Sequence, residues 1–147
     1  MNKSPFLEFK KWFQKAQKKE SDLADNVILA TVRKNKFPSA RTLLLKGFSS
    51  EGFIFFTNYK SRKAQDIIAN PFGALVFNWK YINVNVRIEG KISKLSRQAS
   101  MDYFATRPRL SQLSAWASPQ SRAISSRTFL LKRVRFFESK FKGKEVP

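Results

Sequence analysis

The chain has 147 residues, 42% of them hydrophobic and 15 of them phenylalanine, the size and composition of one globular domain rather than of a disordered chain. It holds no cysteine and no histidine, which excludes disulfides, thiolate nucleophiles, zinc sites built on Cys or His, and any Ser-His-Asp or Cys-His arrangement. Twenty-nine Lys and Arg stand against ten Asp and Glu, a net charge of +19, and such a field draws nucleic acid, anionic lipid or phosphorylated metabolites without choosing among them.

The chemistry of an enzyme with this composition is expected to come from a bound cofactor. The basic excess runs through the whole chain, with no separate basic tail. No apolar run approaches the ~20 residues of a membrane span. The start, "MNKSPFLEFKKWF", lacks the regions of a signal peptide, so a cytoplasmic location is expected.

"SPFLEFKKWFQKAQKKE" places Phe6, Phe9, Phe13 and Ala16 at helical spacing, with Ser4 as N-cap and Pro5 in the first turn. "NVILATVR", "SARTLLLKGF" and "GFIFFTN" follow, rich in branched and aromatic residues and separated by turn-like "KNKFP" and "SSEG". They read as three antiparallel strands in a meander. "SRKAQDIIANP" reads as a short helix capped by Ser61 and stopped before Pro71. "GALVFNW" and "VNVRIEGKISKLS" supply two or three more strands, the second alternating at Val84, Val86 and Ile88. Beyond residue 96, "SRQASMDYFATRP", "LSQLSAWA" and "SSRTFLLKRVRFFESKFK" read as helices. The expected fold is α+β, mainly β: a closed or nearly closed barrel that hides its strand edges, with helices packed around it.

Four stretches could carry chemistry. Lys60, Arg62 and Lys63 crowd the start of a helix, where the macrodipole disfavours cations by roughly 0.3–1 kcal/mol each. A phosphate bound there reverses that sign, by drawing on backbone N–H groups, the Ser61 hydroxyl and the cations together; a solvated basic turn is the alternative. Arg41 and Lys46 flank three leucines and, five residues apart, point to opposite faces of an unbent strand. They share a site only at a bulge, a rim or a subunit boundary, and otherwise serve as edge charges against aggregation. Tyr103, Arg107, Arg109 and Ser111 gather around Pro108, with Tyr103 and Arg107 at i and i+4, a spacing that suits a flat phosphorylated ligand as well as a core aromatic. "KRVRFFESKFKGK" interleaves aromatics with cations, as single-stranded nucleic-acid binders do, yet Leu130, Leu131, Val134 and Phe137 also mark an ordinary amphipathic helix.

Taken in order, "RTLLLK", "FTNYKSRKAQDI", "NP", "VNVRIEGKISKLS", "YFATRPRLSQLSAWAS" and "QSR" resemble the pyridoxamine 5'-phosphate oxidase family over roughly residues 24–147. The resemblance implies one FMN-binding split β-barrel domain over 1–147, a homodimer, and FMN in a cleft at the subunit interface. It implies flavin contacts from Arg41, Thr42, Leu43, Leu44, Leu45 and Lys46, with Arg41 near the phosphate and Lys46 also facing substrate. Phe56 and Thr57 continue that site, and Arg62 and Lys63 take the FMN phosphate. Asn85 stands where the family usually has glutamine. Gln120 and Ser121 match another FMN contact, while Tyr103, Arg107 and Ser111 match holders of the substrate phosphate.

After a motif like "VP" the family normally continues into a Trp-Gly-Gly strand and an Arg-x-His segment, which supply further flavin and substrate contacts. This sequence stops at Val146-Pro147. The implied activity is oxidation of pyridoxamine or pyridoxine 5'-phosphate by oxygen through FMN, without a membrane or nucleic-acid partner. Two other readings stay open: a flavin- or pyridoxal-phosphate-binding protein without turnover, and a basic nucleic-acid-binding module.

Overall fold

In the computed structural model, which describes residues 4–20 and 23–147, helix α1 (Pro5–Lys19) starts at the proline, whose fixed φ suits the first helical position. Ser4 occupies the N-cap position, but its side chain makes no capping bond. Its carbonyl instead accepts from the amides of Leu7 and Glu8. The inward face is the expected one, with Phe9 and Ala16 buried and Phe6 and Phe13 half-buried.

The chain divides into two compact units, residues 1–56 with 66–92, and residues 57–65 with 93–147. The first unit is built on strands β1 (Asn26–Val32), β2 (Pro38–Leu44), β5 (Phe72–Trp79) and β6 (Val84–Lys91), all antiparallel, in the order β2-β1-β5-β6. A separate hairpin joins β3 (Gly47–Ser49) to β4 (Gly52–Ile54).

The three-strand meander is therefore corrected: β2 lies at the edge of the four-stranded sheet beside β1, the third expected strand pairs with β3 instead of β2, and β1 takes β5 as its second neighbour. The strand expected over "SARTLLLKGF" ends at Leu44. The Leu45 amide still donates to Asp25 O at 2.8 Å, whereas the next amide, of Lys46, donates to Ile54 O at 2.8 Å. Burial of Leu45 drives this corner, since its side chain is 5% exposed within the apolar core. "GFIFFTN" likewise keeps only Gly52–Ile54 as strand, and "VNVRIEGKISKLS" only its first eight residues.

Phe9 is the centre of that core. Its ring lies 4.8 Å from Phe48, 4.9 Å from Phe53, 5.1 Å from Phe77 and 5.5 Å from Trp79, in edge-on and tilted geometries that aromatic quadrupoles favour. The buried Trp79 Nε1 donates to Ala24 O at 2.8 Å, so the largest core side chain leaves no polar atom unmet. Gly73 permits close packing at the β1–β5 seam: a Cβ there would sit 2.8 Å from Ile92 Cδ1 and 2.9 Å from Ala30 O.

The 3-10 turn Lys80–Ile82 and Asn83, at φ 52°, link β5 to β6. Between the hairpin and β5 lies α2 (Arg62–Ala69), and the second unit contains α3 (Arg97–Thr106), α4 (Arg109–Ala117) and α5 (Arg127–Lys140). Ser96 and Ser126 cap α3 and α5 by accepting from Ala99 N and Phe129 N. Leu113, Ala117, Phe137, Phe141 and Val146 form this unit's core, with Phe104, Leu130 and Val134 packed against it. Leu131, expected on the inward face of α5, is 49% exposed. Among the described residues no helix is long and apolar enough to cross a membrane.

Candidate functional site

In the second unit the turn Thr57–Ser61 and the first turn of α2 converge on one hydroxyl. Thr57 Oγ1 lies 3.2 Å from Lys63 Nζ, 3.3 Å from Ser61 Oγ and 3.2 Å from Gln120 Oε1. One donor and two lone pairs satisfy all three contacts: Thr57 donates to Gln120 and accepts from Lys63 and Ser61. Ser61 is fully buried and caps α2, its Oγ accepting from Ala64 N at 3.4 Å and its carbonyl accepting from Gln65 N at 3.1 Å.

Gln120 Oε1 accepts a second bond, from Asn58 N at 3.2 Å, while Asn58 Oδ1 accepts from Lys60 N at 2.8 Å. Both donors act on the amide oxygen, so the Gln120 NH2 group is turned away from the turn. Four polar side chains and a helix start thus meet where Lys60, Arg62 and Lys63 concentrate positive charge. Helix starts present backbone N–H groups to anions, and with Lys60, Arg62 and Lys63 beside it this one has donors of the kind that a phosphate group takes.

A cavity of about 450 Å3 in this unit is lined by Asn58, Lys60, Trp116, Gln120, Arg122 and Arg133, among others. Ser121, beside Gln120, has a positive φ of 65° and is exposed. Tyr103, Arg107 and Ser111 lie around the Pro108 break and do not line that cavity. Arg107 has extended backbone just beyond α3, so the i, i+4 argument for pairing it with Tyr103 does not hold; its guanidinium lies 5.9 Å from the Phe104 ring centroid. The bend is set by a residue absent from the sequence reasoning: buried Gln112, whose Nε2 donates to Phe104 O at 2.8 Å.

The first unit holds Arg41 to Lys46, Phe56 and Asn85. Arg41 and Leu43 point to the half-buried face of β2, and Thr42 and Leu44 to the exposed one. Arg41 Nη1 donates to Leu29 O at 3.2 Å and Thr31 Oγ1 at 2.7 Å, and Nη2 to Ser39 Oγ at 2.7 Å. Nη2 also lies 3.4 Å from Asp66 Oδ2, in a pair whose side chains are 19% and 8% exposed. Thr31 Oγ1 donates to the same carboxylate oxygen at 3.0 Å.

Asp66 escaped the sequence reasoning. The available signal was its isolation, as the sole carboxylate residue between Glu51 and Glu89. Lys46 sits beyond the strand and pairs with Asp25 at 3.4 Å. The opposite-face problem therefore disappears, because Arg41 and Lys46 do not belong to one unbent strand. Asn85 lies on the exposed face of edge strand β6, opposite Asn78.

A model of the family described as pyridoxamine 5'-phosphate oxidase matches residues 13–139. The pyridoxine/pyridoxamine 5'-phosphate oxidase 2 of Hydrogenovibrio crunogenus is 49% identical over 144 residues, which are 98% of this chain and 68% of that protein. The chain spans about two thirds of the length of such curated relatives.

Among solved structures, PhzG of Burkholderia lata 383 in complex with tetrahydrophenazine-1-carboxylic acid superposes with a TM-score of 0.89 at 20% identity, covering 98% of this chain and 70% of that one. A pyridoxamine 5'-phosphate oxidase-related, FMN binding protein of Nostoc punctiforme PCC 73102 gives a TM-score of 0.68 at 20% identity, covering 89% and 73%. These likenesses show the fold, which is of the α+β split-barrel kind.

Proposed function

The chain belongs to the pyridoxamine 5'-phosphate oxidase family, and from that premise we propose that it is an FMN-dependent oxidase of pyridoxamine and pyridoxine 5'-phosphates. The C4' carbon of the substrate loses two electrons and becomes the aldehyde of pyridoxal 5'-phosphate. Oxygen is reduced to hydrogen peroxide, and the amine substrate also takes up water and releases ammonia. The observation that carries the reading is the cradle at the start of α2, where Thr57, Ser61, Lys63 and Gln120 converge.

FMN, when bound, supplies the two-electron acceptor chemistry that a chain without Cys or His does not. The protein's part is binding and orientation. Lys63 and Arg62 hold the cofactor phosphate, with Thr57 and Gln120 fixing the turn beneath it. Ser121 adds a contact next to Gln120.

The assignment of Arg41, Thr42, Leu43, Leu44, Leu45, Lys46, Phe56 and Asn85 to the flavin rests on the family resemblance. So does that of Tyr103, Arg107, Ser111 and Lys46 to the substrate. In this reading the working species is a homodimer, supported by the exposed apolar residues Ile28 and Leu44 on the outer face of the sheet.

The test is direct. The purified chain is titrated with FMN, then mixed with pyridoxamine 5'-phosphate in air while pyridoxal 5'-phosphate and peroxide are measured. Stoichiometric FMN binding with formation of both products is expected. FMN binding without product would reduce the assignment to a flavin-binding protein, and absence of FMN binding would reject it.

A further inference from the structure

Helix α5 has a second face that its packing leaves uncovered. Leu130, Val134 and Phe137 belong to the core of the second unit. On another side of the helix, Phe129 and Phe136 are 40% and 61% exposed. Spaced i, i+7, they share a line along the helix and stand about 10 Å apart. Lys132 and Lys140 flank Phe136 at i−4 and i+4, so ring and cation alternate along one ridge.

Residues 127–144 carry seven Lys or Arg against one Glu. Lys132 and Arg135 enter no ion pair among the described residues. Arg133 is engaged inward, donating from Nε to Ala117 O at 2.7 Å and lying 5.8 Å from the Phe129 ring centroid.

Exposed rings between cations call for a partner that is both anionic and able to take up apolar surface. A second copy of the face is disfavoured, because it would set like charges against each other. A single-stranded nucleic acid is bound along a charged groove with successive bases stacked on aromatics, whereas α5 presents a ridge with its rings two turns apart. A flat anionic surface meets such a ridge along its length. The rings enter the acyl boundary while the lysine stems let their ammonium groups stay among the headgroups.

A cluster of about four to eight Lys or Arg on an amphipathic helix is also the composition that recognises anionic lipid. We propose that the outer face of α5, centred on Phe129, Lys132, Phe136 and Lys140, docks this protein on the surface of an anionic lipid bilayer. The attachment is peripheral and reversible.

The 147-residue chain is sedimented with phosphatidylcholine vesicles, with and without about 30% phosphatidylserine, at about 0.1 M salt. Its affinity for a single-stranded oligouridylate is measured alongside. Phe129→Ser with Phe136→Ser is the test variant, its fold checked by circular dichroism. A second variant, Lys132→Ser with Lys140→Ser, leaves the rings in place.

The wild type is expected to sediment with the anionic vesicles only. The phenylalanine variant should bind them at least ~10-fold more weakly with unchanged oligouridylate affinity, and the lysine variant should weaken as well. The proposal is overturned if the wild type ignores anionic vesicles, or if either variant sediments as the wild type does. It is overturned equally if the phenylalanine variant loses oligouridylate binding, which would assign the face to nucleic acid.

Discussion

Gln120 takes a hydrogen bond from the amide of Asn58, 62 positions earlier in the chain, at 3.2 Å. The same oxygen accepts a hydrogen bond from the Thr57 hydroxyl at 3.2 Å, so one side-chain amide fixes the turn that leads into α2. A change of charge there acts on any phosphate at the turn with little change of shape. Gln120→Glu is expected to keep the fold and to weaken FMN binding by at least ~10-fold through charge repulsion. Riboflavin, which lacks the phosphate, should bind it as it binds the wild type. Fluorescence titration with both ligands checks this, and equal losses for the two would remove the phosphate from the turn.

Arg62→Ala combined with Lys63→Ala removes two of the cations that start α2. FMN affinity should fall by ~100-fold or more, at up to about 1.5–3 kcal/mol for each charged hydrogen bond lost. Unchanged FMN affinity in a folded double variant would reject the phosphate assignment.

Asp66→Ala removes the counter-charge of the Arg41 guanidinium, which is 19% exposed and keeps its bonds to Leu29 O, Thr31 Oγ1 and Ser39 Oγ, and takes from Thr31 the carboxylate oxygen it contacts. A loss of about 2–4 kcal/mol in urea unfolding is expected, at or below the range for breaking a buried pair because Arg41 retains some solvent. Asp66→Asn keeps an acceptor for Thr31 and should cost less.

Phe9→Ala empties the centre of the first core and should cost about 3–5 kcal/mol. Phe37→Ser, at a ring 64% exposed in the β1–β2 loop, should stay within about 0.5 kcal/mol. Comparable losses for the two would show that Phe9 does not organise the core.

Ile28→Asp addresses the homodimer. Ile28 is 42% exposed and pairs with Thr42 across the β1–β2 seam. Light scattering should find a dimer for the wild type and a monomer for the variant. A monomeric wild type would end that reading.

Local patterns carried most of the element assignments. Pro5 and Ser61 mark helix starts where the structure has them, because caps and prolines act within a few residues of themselves. Strand partnership was less accessible. Nothing near Val32 says that β1 pairs with β5, a pairing that sets Thr31 against Gly73 at a seam with no room for a Cβ. The corner at Leu45 is hidden for the same reason, since "LLLK" reads as unbroken strand until the side chain has a core to enter.

The proposed phosphate cradle rests on a charge conflict visible in "KSRKA". Its bonds to Gln120 span 62 and 63 positions, and only the family resemblance placed Gln120 in the site. Asp66 and Gln112 lie in helices whose sequences give no sign of the distant atoms they bind.

The corner between β2 and β3 also offers a way to watch the first unit open in parts. Consecutive amides, of Leu45 and Lys46, donate to Asp25 O and Ile54 O, one on the side of the four-stranded sheet and the other on the hairpin. Their deuterium uptake then times two separate events. If the hairpin peels away first, Lys46 exchanges while Leu45 stays protected, and if the core opens as a whole, the two exchange together.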